Sequence, residues 1–159
     1  MAWSEVRTVL LALTGAECQF WLEGGWGVDA LAGRQTRPHR DVDVDLDASQ
    51  ESRAMGVLAD LGYEIETDWR PNRVELVAPG AGRVDLHPLI LAADGSAQQA
   101  ALEGGYHYFP RSYLTVGRLN GLAVPCVSVK AQRAFRQGYE LRPVDRHDLA
   151  VLESVPAAE

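Results

Sequence analysis

Between Arg40 and Asp47 the chain reads Arg-Asp-Val-Asp-Val-Asp-Leu-Asp, with acidic and aliphatic residues in strict alternation. A period of two marks a strand with one face in a core. Val42, Val44 and Leu46 then point inward, and Asp41, Asp43, Asp45 and Asp47 share the other face. Residues two apart on a strand lie roughly 6.6 Å from each other. Like charges at that distance repel by roughly 0.6 kcal/mol in water and roughly 2.5 kcal/mol at an effective dielectric near 20. Aspartate is also a poor strand former. Such a row costs stability unless something cationic neutralises it. Two readings follow. The carboxylates hold divalent ions, for which hard oxygen ligands favour Mg²⁺ or Mn²⁺, or they are the anti-aggregation charges of a solvated edge strand.

The chain has 159 residues, 47% of them hydrophobic and 23% charged, which suits one soluble domain over residues 1–159 with a real core. No apolar run reaches the roughly 20 residues of a membrane span. The start, Met1-Ala2-Trp3-Ser4-Glu5, lacks the basic and apolar segments of a secretory signal, so a cytoplasmic setting is expected and no membrane partner. Cys18 and Cys126 are too few and too far apart for a disulfide framework or a zinc site, and read as buried thiols. A net charge of −7 opposes nucleic acid as a partner, because phosphate binding needs clustered cations.

Val6, Val9, Leu10 and Leu13 have helical spacing within residues 2–15, and residues 18–22 form a short apolar strand. Glu23-Gly24-Gly25-Trp26 then makes a glycine turn into a short helix that stops near Gly33. A glycine pair there lets backbone N–H groups approach an anion, and the helix terminus adds partial positive charge, a cradle for a triphosphate. Asp29 is read as structural. Arg37 and His39 lie in a basic stretch before the acid strand, where they contact phosphate or serve as counter-charges.

Residues 50–61 read as a helix with Ser49 or Asp47 as cap, and residues 63–68 as a strand. The segments around 73–78 and 82–87 form a hairpin whose second strand carries Asp85 and His87 on one face. If that strand lies beside residues 41–47, Asp85 is a third carboxylate at the same place. Residues 92–105 read as loop. The aromatics of Tyr106–Phe109 read as core packing rather than pocket lining. Asn120-Gly121 is the strongest hairpin turn, joining 113–119 to 122–126. Ser128 caps a helix to about Gln137, in whose first turn Lys130 opposes the helix dipole and so is a candidate phosphate ligand. A terminal helix opens near Pro143, and His147 on it reads as structural.

Gly24-Gly25, then Asp41-Val42-Asp43, then Asp85 resemble in order the motifs of the DNA polymerase β-like nucleotidyltransferase superfamily. Over residues 24–44, and again over 138–149, the likeness is to the small lincosamide and aminoglycoside 2″-nucleotidyltransferases. The resemblance implies an α+β (mixed α/β) nucleotidyltransferase fold, a central mixed β-sheet flanked by helices. It implies transfer of a nucleoside monophosphate from an NTP, usually ATP, to a hydroxyl of a small-molecule antibiotic, lincosamide favoured over aminoglycoside. Asp41 and Asp43 would hold Mg²⁺ or Mn²⁺. Asp85 would complete the metal site and act as base. Gly24, Gly25, Trp26, Arg37, His39 and Lys130 would serve the nucleotide. Asp45 is placed to contact a cationic acceptor. Homodimerisation is left open, as are a toxin-like transferase acting on tRNA or protein and a silent nucleotide-binding module.

Overall fold

The computed structural model describes residues 1–156 and consists of nine strands and five helices in chain order. They are α1 (Trp3–Gly15), β1 (Phe20–Leu22), α2 (Gly24–Ala32), β2 (Asp41–Asp47), α3 (Glu51–Asp60), β3 (Glu64–Trp69), β4 (Arg73–Val77), β5 (Arg83–Leu91), β6 (Ala97–Ala100), β7 (Tyr106–Phe109), β8 (Leu114–Leu119), β9 (Leu122–Val127), α4 (Val129–Phe135) and α5 (Pro143–Ser154). The sheet runs β3-β4-β5-β2-β1-β9-β8, with β6 and β7 added beyond the far end of β5. It is mixed: β2 with β5 and β1 with β9 are parallel, and the other neighbours are antiparallel. This is the mixed, helix-flanked sheet implied by the resemblance.

The alternating strand lies at the centre. Val42, Val44 and Leu46, with Val84 and Leu86 of β5, are fully buried against Val6, Leu13 and Leu58 of α1 and α3. Burying each such side chain contributes about 1.5–3 kcal/mol. Five of them outweigh a few kcal/mol of repulsion among the acids on the opposite face. Hydrophobic burial therefore forces the carboxylates together; they have no say in the register.

Local chemistry explains most boundaries. Asp47 caps a 3₁₀ turn (Ala48–Gln50) by accepting from the Ser49 N–H, and Ser128 accepts from the Ala131 N–H at the start of α4. Asn120 and Gly121 both have positive φ, as a two-residue hairpin turn of the mirror-image type requires. Both cysteines are buried, and burial pushes the Cys126 thiol up to about 12.

Three expectations need correction. Helix α4 ends at Phe135 rather than Gln137. Residues 97–100, read as loop, form β6, because the far end of β5 offers backbone for them to pair with and β7 pairs their other edge. In β7 only Phe109 is core; Tyr106 and Tyr108 are about 60% exposed.

Candidate active site

The parallel register of β2 and β5 sets Asp43 opposite Asp85 and Asp45 opposite His87. On its other side Asp85 faces Glu75 of β4. Adjacent strands are about 4.8 Å apart, so an ionised Asp43–Asp85 pair repels by about 3 kcal/mol at an effective dielectric near 20. Burial first, then the charges of Asp43 and Asp41, push the Asp85 carboxyl up to about 7. Its buried Oδ1 has no hydrogen-bond partner. Asp43 behaves differently. Burial raises it, but a 3.3 Å hydrogen bond with His87 and the His87 charge outweigh burial and leave it below the ordinary value. Asp41 lies one step along the same face and accepts from Arg40 at 3.0 Å. Among the described residues no three His, Cys, Asp or Glu side chains already form a closed metal cage. The expected gathering is therefore partial: Asp43 and Asp85 are register neighbours, and Asp41 is drawn toward Arg40. An orphaned buried carboxylate oxygen beside two further carboxylates is nevertheless a donor set suited to a hard divalent cation.

The glycine turn abuts this cluster, and α2 begins at Gly24 with no intervening loop. Gly24 has φ +56°, and a Cβ there would collide with the Asp43 carboxylate. A Cβ on Gly25 would lie 2.5 Å from both the Arg37 Nη2 and the His39 Nδ1. One on Gly27 would lie 2.5 Å from the Gln132 Nε2. Each glycine is thus required by a different close neighbour.

Behind the turn is a buried polar network. Asp148 accepts from the Arg37 Nε and Nη2 at 2.8 and 3.0 Å and from the Arg136 Nη2 at 2.8 Å. Burial raises the Asp148 carboxyl, but the two arginines more than reverse this and leave it low. The Arg136 Nη1 donates to the Gln132 Oε1, and the Gln132 Nε2 donates to the Gly24 carbonyl at 3.2 Å. On the other flank His39 pairs with Asp29, which also accepts from the Thr36 N–H and hydroxyl. The His39 ring stacks on Trp26 with centroids 4.4 Å apart. Asp29 is structural, as read, and His147 touches only the Thr36 hydroxyl from the surface.

The candidate nucleotide residues therefore divide. Gly24 and Gly25 stand at the acids. Trp26 and His39 are buried, and Arg37 is committed to Asp148, so these three brace the turn from behind. Lys130 is exposed on the wall of a separate groove with Leu31, Val116 and Arg133. The residue of α4 that meets the turn is Gln132. Gly27, Gln132, Arg136 and Asp148 were missed from the sequence. Only the third glycine in Gly24-Gly25-Trp26-Gly27 gave a local signal, because Gln132 and Asp148 reach Gly24 and Arg37 across 108 and 111 residues, and Arg136 matters only as the link between those two.

A cavity of about 710 Å³ opens beside the acids, lined by Glu23, Arg73, His87, Gln99, Tyr106, Tyr108, Phe109 and Phe135 among others. Glu23, the residue before the glycine turn, hydrogen-bonds Asp45 side chain to side chain. Asp45 is wholly buried, and neither of its oxygens meets a nitrogen or hydroxyl donor. Burial, then the Glu23 charge, push the Asp45 carboxyl well above the ordinary range, and burial raises Glu23 as well.

Known proteins resemble this chain in sequence and in fold. The family described as aminoglycoside-2″-adenylyltransferase matches residues 5–152. A lincosamide resistance protein from Staphylococcus haemolyticus is 42% identical over 136 residues, 86% of this chain and 84% of that protein. A 2″-aminoglycoside nucleotidyltransferase from Escherichia coli is 30% identical over 60 residues, 38% of this chain and 34% of that protein. Among solved structures, the lincomycin-bound lincosamide antibiotic adenylyltransferase LnuA superposes with a TM-score of 0.91 at 38% identity, covering 98% of this chain and 99% of that one. ANT(2″)-Ia in complex with adenylyl-2″-tobramycin superposes at 0.72 and 21% identity over 92% of this chain and 84% of its own, a likeness of fold.

Proposed function

The chain belongs to the aminoglycoside-2″-adenylyltransferase family, and we propose that it transfers AMP from ATP to a hydroxyl of a lincosamide antibiotic. The observation that carries this reading is the strand face on which Asp43 and Asp85 sit in register beside Gly24. The extent of the likeness to LnuA supports a lincosamide over an aminoglycoside as acceptor.

In this reading Asp41, Asp43 and Asp85 hold Mg²⁺ (or Mn²⁺). The ion, when bound, neutralises charge developing on the transferred phosphoryl group and on the leaving pyrophosphate. The N-terminal N–H groups of α2, with Gly24 and Gly25 leaving the approach open, hold the triphosphate end. The Arg37–Asp148–Arg136–Gln132 network keeps that turn in place. The acceptor oxygen attacks the α-phosphorus, its proton passes to the Asp85 carboxylate, and the bond to pyrophosphate breaks. The base role rests on the position of Asp85 beside Asp43 on the adjoining strand; its raised value of about 7 belongs to the metal-free fold, and a bound cation would lower it. His87 steers Asp43 through their hydrogen bond. Among the described residues no helix is long and apolar enough to cross a membrane. A cytoplasmic site of action, where ATP is supplied, forms part of the proposal.

Pyrophosphate release tests this directly, with ATP, GTP, CTP and UTP offered alongside lincomycin, clindamycin and a panel of aminoglycosides in Mg²⁺. Release with ATP and a lincosamide is expected. Release with aminoglycosides alone would move the acceptor, and no release with any pair would remove the antibiotic reading.

A further inference from the structure

We infer that Glu23, backed by the buried Asp45, is the anchor for a protonated amine on the acceptor, and so fixes a preference for cationic alkylammonium acceptors. The inference rests on the cavity beside the acids being the acceptor's, as the proposed reaction requires.

Four observations carry it. Glu23 is the one acidic side chain among the residues lining the cavity. Among the described residues it forms no salt bridge, because the basic groups around it are otherwise engaged. His87 uses Nε2 on Asp43 and accepts from the Gln99 amide at Nδ1. Arg73 pairs with Glu75 at 3.0 Å and lies 4.4 Å over the Trp69 ring. Arg136 is held by Gln132 and Asp148. Asp45, which supports Glu23 from beneath, is fully buried with no nitrogen or hydroxyl donor on either oxygen. Asp45 does not line the cavity, so whatever it does to a ligand there passes through Glu23. Finally, the wall facing Glu23 is aromatic, with Tyr106, Tyr108, Phe109, Tyr113 and Phe135. Tyr106 and Tyr108 keep their rings largely exposed, although burying them would stabilise the hairpin. A carboxylate set among aromatic faces is the chemistry that binds an alkylammonium group, by charge on one side and cation–π attraction on the other. A neutral polyol would satisfy neither.

Glu23 precedes the glycine turn and lines the cavity, whereas Asp43 and Asp85 sit on the strands beside it, so the cation-binding point and the acids that handle the phosphoryl group are separate. The acceptor must present its amine and its reacting hydroxyl at different points, and the cavity reads both.

The test compares lincomycin, whose pyrrolidine nitrogen is protonated near neutral pH, with a derivative whose pyrrolidine nitrogen is acylated and neutral. Binding is measured by calorimetry and turnover by pyrophosphate release, in wild type and in Glu23→Gln. Wild type is expected to bind lincomycin about 10- to 100-fold more tightly than the acylated derivative, the size of a lost charge-assisted hydrogen bond. Glu23→Gln should raise the lincomycin Kd and KM by a similar factor, change the acylated derivative's Kd less than threefold, and leave the KM for ATP within twofold. Equal losses for both ligands, or none for either, would overturn the inference. So would a wild type that prefers the neutral ligand or binds neither. Selective, Glu23-dependent binding without pyrophosphate release would uphold the amine anchor and instead remove the proposed reaction. Because the wild-type preference is read without mutation, a misfolded variant would leave the question answerable.

Discussion

Two clusters of charge flank the glycine turn, and they are built on opposite principles. Behind the turn, Asp148 is shared by Arg37 and Arg136, and Arg136 passes the connection through Gln132 to the Gly24 carbonyl. In front of it, Asp43, Asp85, Asp45 and Glu23 crowd one face, with His87 as the sole nearby cation hydrogen-bonded to any of them and an orphaned oxygen on Asp85. The difference separates scaffold from site. A network whose carboxylate is fully paired by its own guanidinium groups stabilises the native state only while intact, even though the Arg136 Nε finds no acceptor among the described residues. A cluster of like charges that does not satisfy itself stores unfavourable energy that a cation and a nucleotide can relieve.

The largest expected effect comes from removing one charge on the unsatisfied side. Asp43→Asn should reduce turnover by on the order of 10³-fold or more while changing stability by no more than about 1–2 kcal/mol, because losing the His87 hydrogen bond and relieving the repulsion from Asp85 act in opposite directions. A variant with near-normal turnover would end the contrast. On the satisfied side the pattern reverses. Asp148→Asn leaves two buried guanidinium groups without their anion and should cost about 3 kcal/mol in urea unfolding. Below the melting transition the surviving folded enzyme should show a raised KM for ATP with a smaller change in KM for the acceptor.

The two clusters should also respond to pH with opposite signs. Asp148 lies below its ordinary value of 3.8 in the fold, so its stabilisation is present above that value and is lost as pH falls through the lower folded one. Asp85 is raised from 3.8 to about 7, so the folded state holds a proton the unfolded chain has released. Its contribution therefore declines as pH rises from about 4 to about 7 and levels off above. Metal-free protein should melt at a lower temperature at pH 8 than at pH 5.5, and Mg²⁺ should recover part of the difference at pH 8. Asp85→Asn should flatten the dependence; an unchanged slope in that variant would refute the assignment. The smallest effect belongs to the rim. Arg40 is exposed where it pairs with Asp41, and Arg40→Ala should change stability by less than about 1 kcal/mol, with any effect fading at high salt.

How much of this was legible from the chain depended on the range of the cause. The Asp-Val-Asp-Val-Asp strand, the Asn120-Gly121 turn and the cap at Ser128 are dictated within a few residues and read correctly, whereas Asp47 caps the 3₁₀ turn before α3 rather than α3 itself. Arg37 did not. A sequence displays a charge but not its counter-charge, and the partner of Arg37 lies 111 residues downstream. The same blindness made Lys130 a better phosphate candidate than Gln132, whose amide has no charge to attract notice. Residues 97–100 adopt a strand for reasons supplied by the end of β5 rather than by their own composition. The Glu23–Asp45 contact joins a pre-helix residue to a strand interior, and alternation alone could not reveal that one acid of the row would be sealed from water.

That Asp148 reaches back to Arg37 also has a consequence in time. During synthesis the strands bearing Asp41, Asp43, Asp45 and Asp85 emerge well before α5, the helix that braces the glycine turn. A nascent chain paused before Pro143 would already display its carboxylates on a paired sheet, yet would lack the brace that readies the turn for nucleotide. On the proposed reading, the glycine turn is therefore not braced until α5 has left the ribosome and docked, so folding of the site is completed by a helix that carries none of its acids.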